Sequence, residues 1–525
     1  MIGSAPDSLT RRARRGGSPS RLEADDECGT VSAAETDDLL GPPDAALTAR
    51  SDKRLQWQMT FNVFLIATFV FAMSPVVTNY DSFATLPTAV SIVNRHTLSL
   101  DAFQHMKVLT ASYTVAHAKG HLLTSYPWAV GLFAIPAVVV IDLAHVLGGP
   151  SADSIVTGQS PIVLQVQLWS ASVVTGLACA ALALLAYRRL QGSVKTRRRW
   201  ALVCGLAFAF ATSAWSSASR ALWQHGPSIL FLAVALLALD RLFPTTTDAP
   251  APRTTSAWPP FVAGLALAAS VAMRPTNAVA LVLGTILVFW KTSTRARGAY
   301  VAGVFAVFIP WTLVTLHYYG APLQPYDQAS KLGLSSTFFE SVAAQFVSPS
   351  RGLLVFSPIV LVAIAGAVIA WRRRSTTPLE VLCAAAVPCY VMAIASFPIW
   401  WAGTSFGPRF MTETLPFIFV LSLPFVNWVI AWRSETPRRR PTIYRIAVAG
   451  AVVLLAASVL INAQGGVLRS SICWNLKAPD VESVDQNPAR VWSWSDPQVV
   501  YAFQAVRTEG LDAALTRCPS GTPIP

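Results

Sequence analysis

Asp81 is the residue best placed to do chemistry. It follows the first long apolar run, in Val77-Thr78-Asn79-Tyr80-Asp81-Ser82-Phe83. A carboxylate at the end of a first membrane span is a candidate general base, able to take a proton from a hydroxyl as that oxygen attacks. The plainer reading is a solvated acid in an outer loop. Asp101, a second acid in the same loop, would share the site or orient a cation. His121, followed by Tyr126, Pro127 and Trp128, closes the loop. It reads either as a wall of an acceptor or lipid-phosphate site or as part of an interfacial aromatic belt.

The arginines come next. Arg220 and His225 lie in the stretch from Trp215 to Pro227, between apolar runs. They suit a phosphate or a sugar, or else mark a tryptophan-anchored turn. Arg274 precedes Pro275, Thr276 and Asn277. An arginine in or near the apolar phase has a partner, here an anion or a neighbouring carbonyl. Arg351 opens an apolar run on the predicted outer face, against the usual bias of basic residues, and so points to an anion. Arg409 lies in Trp400-Trp401-Ala402-Gly403-Thr404-Ser405-Phe406-Gly407-Pro408-Arg409-Phe410. Its guanidinium can hold a phosphodiester bidentately, and Trp401 beside it can stack on a sugar face. Glu413, one helical turn on, is the alternative partner for Arg409.

These residues need elements to carry them. The chain is 53% hydrophobic and 13% charged, where a soluble domain carries about 25% charged residues. Apolar runs fall at about 59–77, 126–147, 163–187, 200–215, 227–243, 258–273, 276–290, 299–317, 352–371, 378–396, 411–432 and 443–461, each near the length that crosses a bilayer. The expectation is an all-α polytopic membrane protein of about 11–13 transmembrane helices with large extracytoplasmic loops, the first over about 78–125. Residues 1–58 are polar and mixed in charge and read as a disordered cytoplasmic tail. Residues 462–525 read as a small extracytoplasmic segment after the 59–461 transmembrane domain. That segment holds Cys473 and Cys518. Outside the cytoplasm they can form a disulfide; the alternative is two free thiols.

The net charge of +13 is concentrated in tracts between apolar runs, at 188–199, 291–297, 372–374 and 433–440. That is the pattern of cytoplasmic loops, and it argues against nucleic acid. A cytoplasmic N-terminus and an outer C-terminal segment require an odd number of crossings. The twelve runs give an even number, so either one crossing is hidden or miscounted, with the stretch 84–165 the expected place, or a basic loop breaks the charge rule.

The chain has no Walker lysine, dinucleotide glycine fingerprint or HExxH pair, so no cofactor and no metal are expected, and an activated donor would arrive as a lipid. Asn79-Tyr80-Asp81-Ser82, Ser125-Tyr126-Pro127, Trp223-Gln224-His225-Gly226-Pro227, Met273-Arg274-Pro275-Thr276-Asn277 and Phe406-Gly407-Pro408-Arg409-Phe410 resemble the GT-C superfamily of polytopic glycosyltransferases. The likeness is to the bacterial group related to protein O-mannosyltransferases and aminoarabinose transferases. The resemblance implies a multi-pass protein of the inner (plasma) membrane. It implies sugar transfer from a polyprenyl-phosphate donor to a glycan, glycolipid or protein acceptor, with inversion. Asp81 would be the base and the arginines the donor-phosphate ligands. The family often carries an adjacent acidic pair where this chain has Asp81-Ser82, which favours a metal-independent site. A transporter or flippase of lipid or sugar is the competing expectation.

Overall fold

A computed structural model describes residues 43–78, 81–244, 256–327, 333, 336–434, 442–476 and 482–518. The expected tail up to residue 42, Asn79 and Tyr80, and the basic tract from 435 onward lie outside these. The chain divides into two units, Met1–Ser51 and Asp52–Pro525. The first contributes the opening turns of α1 (Pro43–Ala72), which reaches back into the stretch expected as tail. The bundle belongs to the second.

The architecture is that of an all-α polytopic membrane protein. After α1 come α2 (Thr85–Arg95), a hairpin of β1 (Val115–Ala118) and β2 (His121–Thr124), and α3 (Ile135–Val146). Long helices follow: α4 (Ile162–Arg189), α5 (Val194–Phe210), α6 (His225–Leu242), α7 (Trp258–Met273), α8 (Ala278–Lys291) and α9 (Thr294–Tyr319). The loop expected at 318–351 contains α10 (Phe338–Val347). Then come α11 (Leu361–Arg372), α12 (Pro378–Ala395), α13 (Leu415–Ser434) and α14 (Thr442–Val467). Two amphipathic helices, α15 (Gln498–Glu509) and α16 (Leu511–Thr516), build a C-terminal cap. Among the described residues, eight stretches are long and apolar enough to cross a membrane.

Local chemistry explains where these helices start and how closely they pack. Ser193 and Ser293 cap α5 and α9 with their hydroxyls. Thr377 and Glu380 form a reciprocal capping box around Pro378 at the start of α12. Gly264 and Gly303 let α7 and α9 touch backbone to backbone: a Cβ at either would meet a facing carbonyl oxygen at 2.1 Å, so small residues set the crossing.

The bundle has two chemically different ends. At one, Arg189 donates to Asp240 at 2.8 Å and to Glu380 at 3.2 Å, joining α4, α6 and α12. Asp52 pairs there with Tyr187 and Arg197, and α8, α11 and α13 bring Lys291, Arg372 and Arg433 to their last turns. At the other end lie Asp81, the 214–224 turn, Arg274, and the cap held against 397–410. The separation of basic tracts from candidate site residues expected from charge is therefore present in the fold.

The run at 126–147 falls in the stretch where the count was in doubt. Trp128–Val146 qualifies as a span by length and composition, but its packing keeps it at the Asp81 end. Gly131 lies on Thr85 and Thr88 of α2, Asp142 accepts from the Ala152 N–H, and Asp153 pairs with Arg95. The chain then enters α4, where Val174 and Thr175 lie beside Gly226 at the start of α6. The dozen α4 residues before that level project about 18 Å past it, at 1.5 Å per residue.

Cys473 and Cys518 form a disulfide that ties the end of the cap to the turn after α14.

The buried Arg189 group yields a stability prediction. Its side chain is 2% exposed. Arg189→Ala would strand Asp240 and Glu380 as buried carboxylates, at a cost of about 3–5 kcal/mol. Unfolding in detergent should show this loss, and Arg189→Met combined with Asp240→Asn and Glu380→Gln should recover most of it. Equal stability of Arg189→Ala and the parent would show that the group does not hold these helices.

Candidate functional site

Asp81 sits in the turn between α1 and α2, and the segment leading to it is pinned from the 214–224 turn. Arg220 donates to the carbonyls of Phe71 at 2.7 Å and Val76 at 3.3 Å, and its own carbonyl accepts the Thr78 N–H at 3.1 Å. This buried arginine finishes the first span, satisfying carbonyls left open at a helix end. It therefore holds the segment that leads to Asp81.

The Asp81 carboxylate is fully engaged. Oδ1 accepts from Tyr113 at 2.7 Å and Tyr126 at 3.1 Å; Oδ2 accepts from Arg409 Nη1 at 2.6 Å. Both side chains of the ion pair are 9% exposed. Burial alone raises the Asp81 carboxyl, but Arg409 and the two tyrosine hydroxyls outweigh it and hold the group below the usual carboxylate range. The same contacts, with burial first, push the Tyr113 and Tyr126 hydroxyls up, so they stay protonated donors. Tyr326 stacks on Tyr126 with ring centroids 4.3 Å apart.

Arg409 is fixed by aromatic faces. Its guanidinium lies 5.0 Å from the Trp223 ring centre and 5.3 Å from that of Phe410. Asp81 takes only one of its nitrogens. The buried Nε–H has no hydrogen-bond partner among the described residues.

A second polar cluster adjoins the first through Phe410 and Trp223. Arg274 lies 4.9 Å from the Phe410 ring centre, and Trp223 meets His225 edge-on at 5.1 Å. His225 Nδ1 is 2.8 Å from Glu413 Oε1, and Arg274 Nε is 3.5 Å from Glu413 Oε2. Arg274 also donates to Thr276 at 3.0 Å. Glu413 thus pairs with His225 and Arg274, and Arg409 with Asp81. The reason is local: Arg409–Thr414 is a 3-10 helix. At three residues per turn, positions i and i+4 no longer share a face.

The fold therefore brings together Asp81, His225, Arg274 and Arg409. It places the other candidates elsewhere. Asp101 and His121 pair with each other at 2.6 Å on an exposed surface, and Asp101 also accepts the Leu122 N–H at 2.8 Å. The two staple the loop to the hairpin. Arg351 is buried and spends its donors on the carbonyls of Trp401 at 2.5 Å, Ser350 at 2.7 Å and Gly403 at 3.0 Å, and on Gln498 and Asn475 at 2.6 and 2.7 Å. Its position at the Asp81 end serves the cap, through neutral oxygens. Trp401 donates to Asp485 at 2.9 Å on the rim of the same cap. Tyr113 carried no sequence signal, being a lone tyrosine in a polar loop.

Beside Asp81 lies a small cavity of about 10 Å³, lined by Thr85, Thr88, Thr124, Tyr126 and Gln224 among others. That is room for about one water molecule, so a sugar enters only if side chains move.

The Asp81 pair predicts a pH response. The folded carboxyl value lies below the unfolded value of about 3.9. Its stabilisation is complete above the unfolded value and is lost as pH falls through the folded one. The stability difference between the parent and Asp81→Asn should be flat from pH 7 to about 5 and shrink only on further acidification. A difference that disappears near neutrality would contradict the depressed value.

Compared with protein-family models and with curated proteins, the chain matches none.

Proposed function

We propose that the chain transfers a sugar from a polyprenyl-phosphate donor to a hydroxyl of a cell-envelope acceptor, as the motifs shared with the GT-C superfamily imply. Asp81 is the general base, and Arg409 with Arg274 holds the donor phosphate. The protein lies in the plasma (inner) membrane with the Asp81 end facing outward.

The observation that carries this reading is the half-used fork of Arg409. One nitrogen is bound to Asp81, and a buried Nε–H is left without a partner. A phosphate oxygen supplies what that N–H lacks, and Nη2, whose N–H runs parallel to it, completes a bidentate hold. The guanidinium charge is then shared between the phosphate and the Asp81 carboxylate on Nη1, so Asp81 becomes a stronger base once the donor is in place. The acceptor oxygen then attacks the anomeric carbon from the face opposite the phosphate. The new C–O bond forms as the bond to the phosphate oxygen breaks. The acceptor proton passes to Asp81, and the electron pair leaves with polyprenyl phosphate. Charge builds on the leaving oxygen, where fixed guanidinium groups stabilise it without any proton transfer.

The test is direct. Purified protein is incubated with a panel of labelled polyprenyl-phosphate sugars and an envelope extract. The reading expects labelled product together with free polyprenyl phosphate. Movement of intact donor across vesicle membranes without glycosidic product would replace it with the transporter reading.

A further inference from the structure

α14 stands away from the bundle: only 11% of its most apolar stretch is buried. Between it and α5, α11 and α13 runs a groove of about 960 Å³ with apolar walls including Phe208, Val362, Phe425 and Leu455. Val203 on α5 and Val452 on α14 line it and are 47% and 59% exposed, so the groove opens sideways between those helices. From Leu415 to Arg433 it follows α13 for about 27 Å at 1.5 Å per residue, close to the roughly 30 Å of a hydrocarbon core.

Its polarity is one-sided. Arg199 and Arg433 line the end that also carries Arg189, together with Gln191, Ser193 and Thr196, and among the described residues no acid lines the groove. The remaining polar walls are self-satisfied: Thr212 donates to the Phe208 carbonyl and Ser422 to that of Phe419. Toward Asp81 the groove is closed. Ser213 and Thr412, both buried, are hydrogen-bonded at 2.9 Å, and Phe208 packs edge-on against Phe419. The charged mouth thus lies at the end opposite the Asp81 site, so the groove is not an extension of that site.

We infer that this groove is a binding site for an anionic phospholipid of the leaflet at the basic end. The phosphate sits at Arg199 and Arg433, and the acyl chains lie along α5 and α14. Basic pockets between membrane helices recognise anionic headgroups in this way. Lys195 and Arg198 on the same helix add positive charge, which disfavours a headgroup carrying its own cation.

The test compares lipid retention. Purified protein is reconstituted in vesicles of equal parts phosphatidylglycerol and phosphatidylcholine, with a trace of polyprenyl phosphate. It is then extracted in detergent, and the lipids still bound are counted by native mass spectrometry. The parent should retain phosphatidylglycerol in preference to the other two. Arg199→Gln, at an exposed position that does not burden folding, should reduce that preference about fivefold, the worth of one basic residue at an anionic surface. Ala207→Trp fills the groove and leaves the basic mouth intact, and should abolish retention. Equal retention of both phospholipids, preference for polyprenyl phosphate, or unchanged retention in either variant would overturn the inference.

Discussion

Asp81→Asn lowers sugar transfer by about 10²–10⁴-fold, the range of a lost general base, while the protein keeps its fold. The amide is the same size; its oxygen still accepts from Tyr113 and Tyr126, while its NH2, a donor, gives up the bond from Arg409. What it loses is the ability to take the acceptor proton. The carboxylate no longer competes for Arg409, so the KM for the donor should stay level or fall as kcat collapses. That split separates a base from a residue that merely shapes the pocket. Steady-state kinetics with a short-chain polyprenyl-phosphate donor, beside thermal unfolding of both proteins, decides the matter. An unchanged kcat would remove Asp81 from the reaction.

Arg409→Ala is the second large effect, and it acts in two ways. It leaves Asp81 buried without its counter-charge, at a cost of about 3–5 kcal/mol of stability. It also removes the donor-phosphate fork, worth about 10²–10³-fold in transfer by analogy with the loss of one preorganised donor. Arg409→Lys separates the two. A lysine ammonium restores a charge near Asp81 but cannot offer two fixed parallel N–H groups. It should recover much of the stability and little of the activity. Full activity in Arg409→Lys would mean that a point charge suffices, and the bidentate reading would be lost.

Asp81 also shows how far a single chain can be read unaided. Its candidacy came from position, because a carboxylate just past an apolar run is rare and visible. Its geometry was not visible. Arg409 is 328 positions away, and only the return of the chain at the end of α12 brings it over Trp223. Glu413 illustrates the same limit at short range. Four-residue spacing suggests a helical pair with Arg409, but a 3-10 turn there rotates it toward His225 and Arg274. Arg351 was conspicuous for the right reason, a cation on the wrong side. Its partners, however, proved to be carbonyls and amides of a cap whose shape no motif encodes.

Apolar length and charge placement alone determined that this is a multi-pass helical membrane protein and that its basic tracts share one end. Those properties follow from transfer of residues between water and hydrocarbon, which acts on each segment separately. Only the tertiary structure showed what the apolar run Trp128–Val146 packs on, namely α2 and the turn before α4. Only it separated the four converging residues Asp81, His225, Arg274 and Arg409 from Asp101, His121, Arg220, Arg351 and Trp401. An arginine satisfied by carbonyls and one poised for an anion have the same local sequence character; what distinguishes them is which distant groups the packing brings within about 3 Å, the reach of a hydrogen bond.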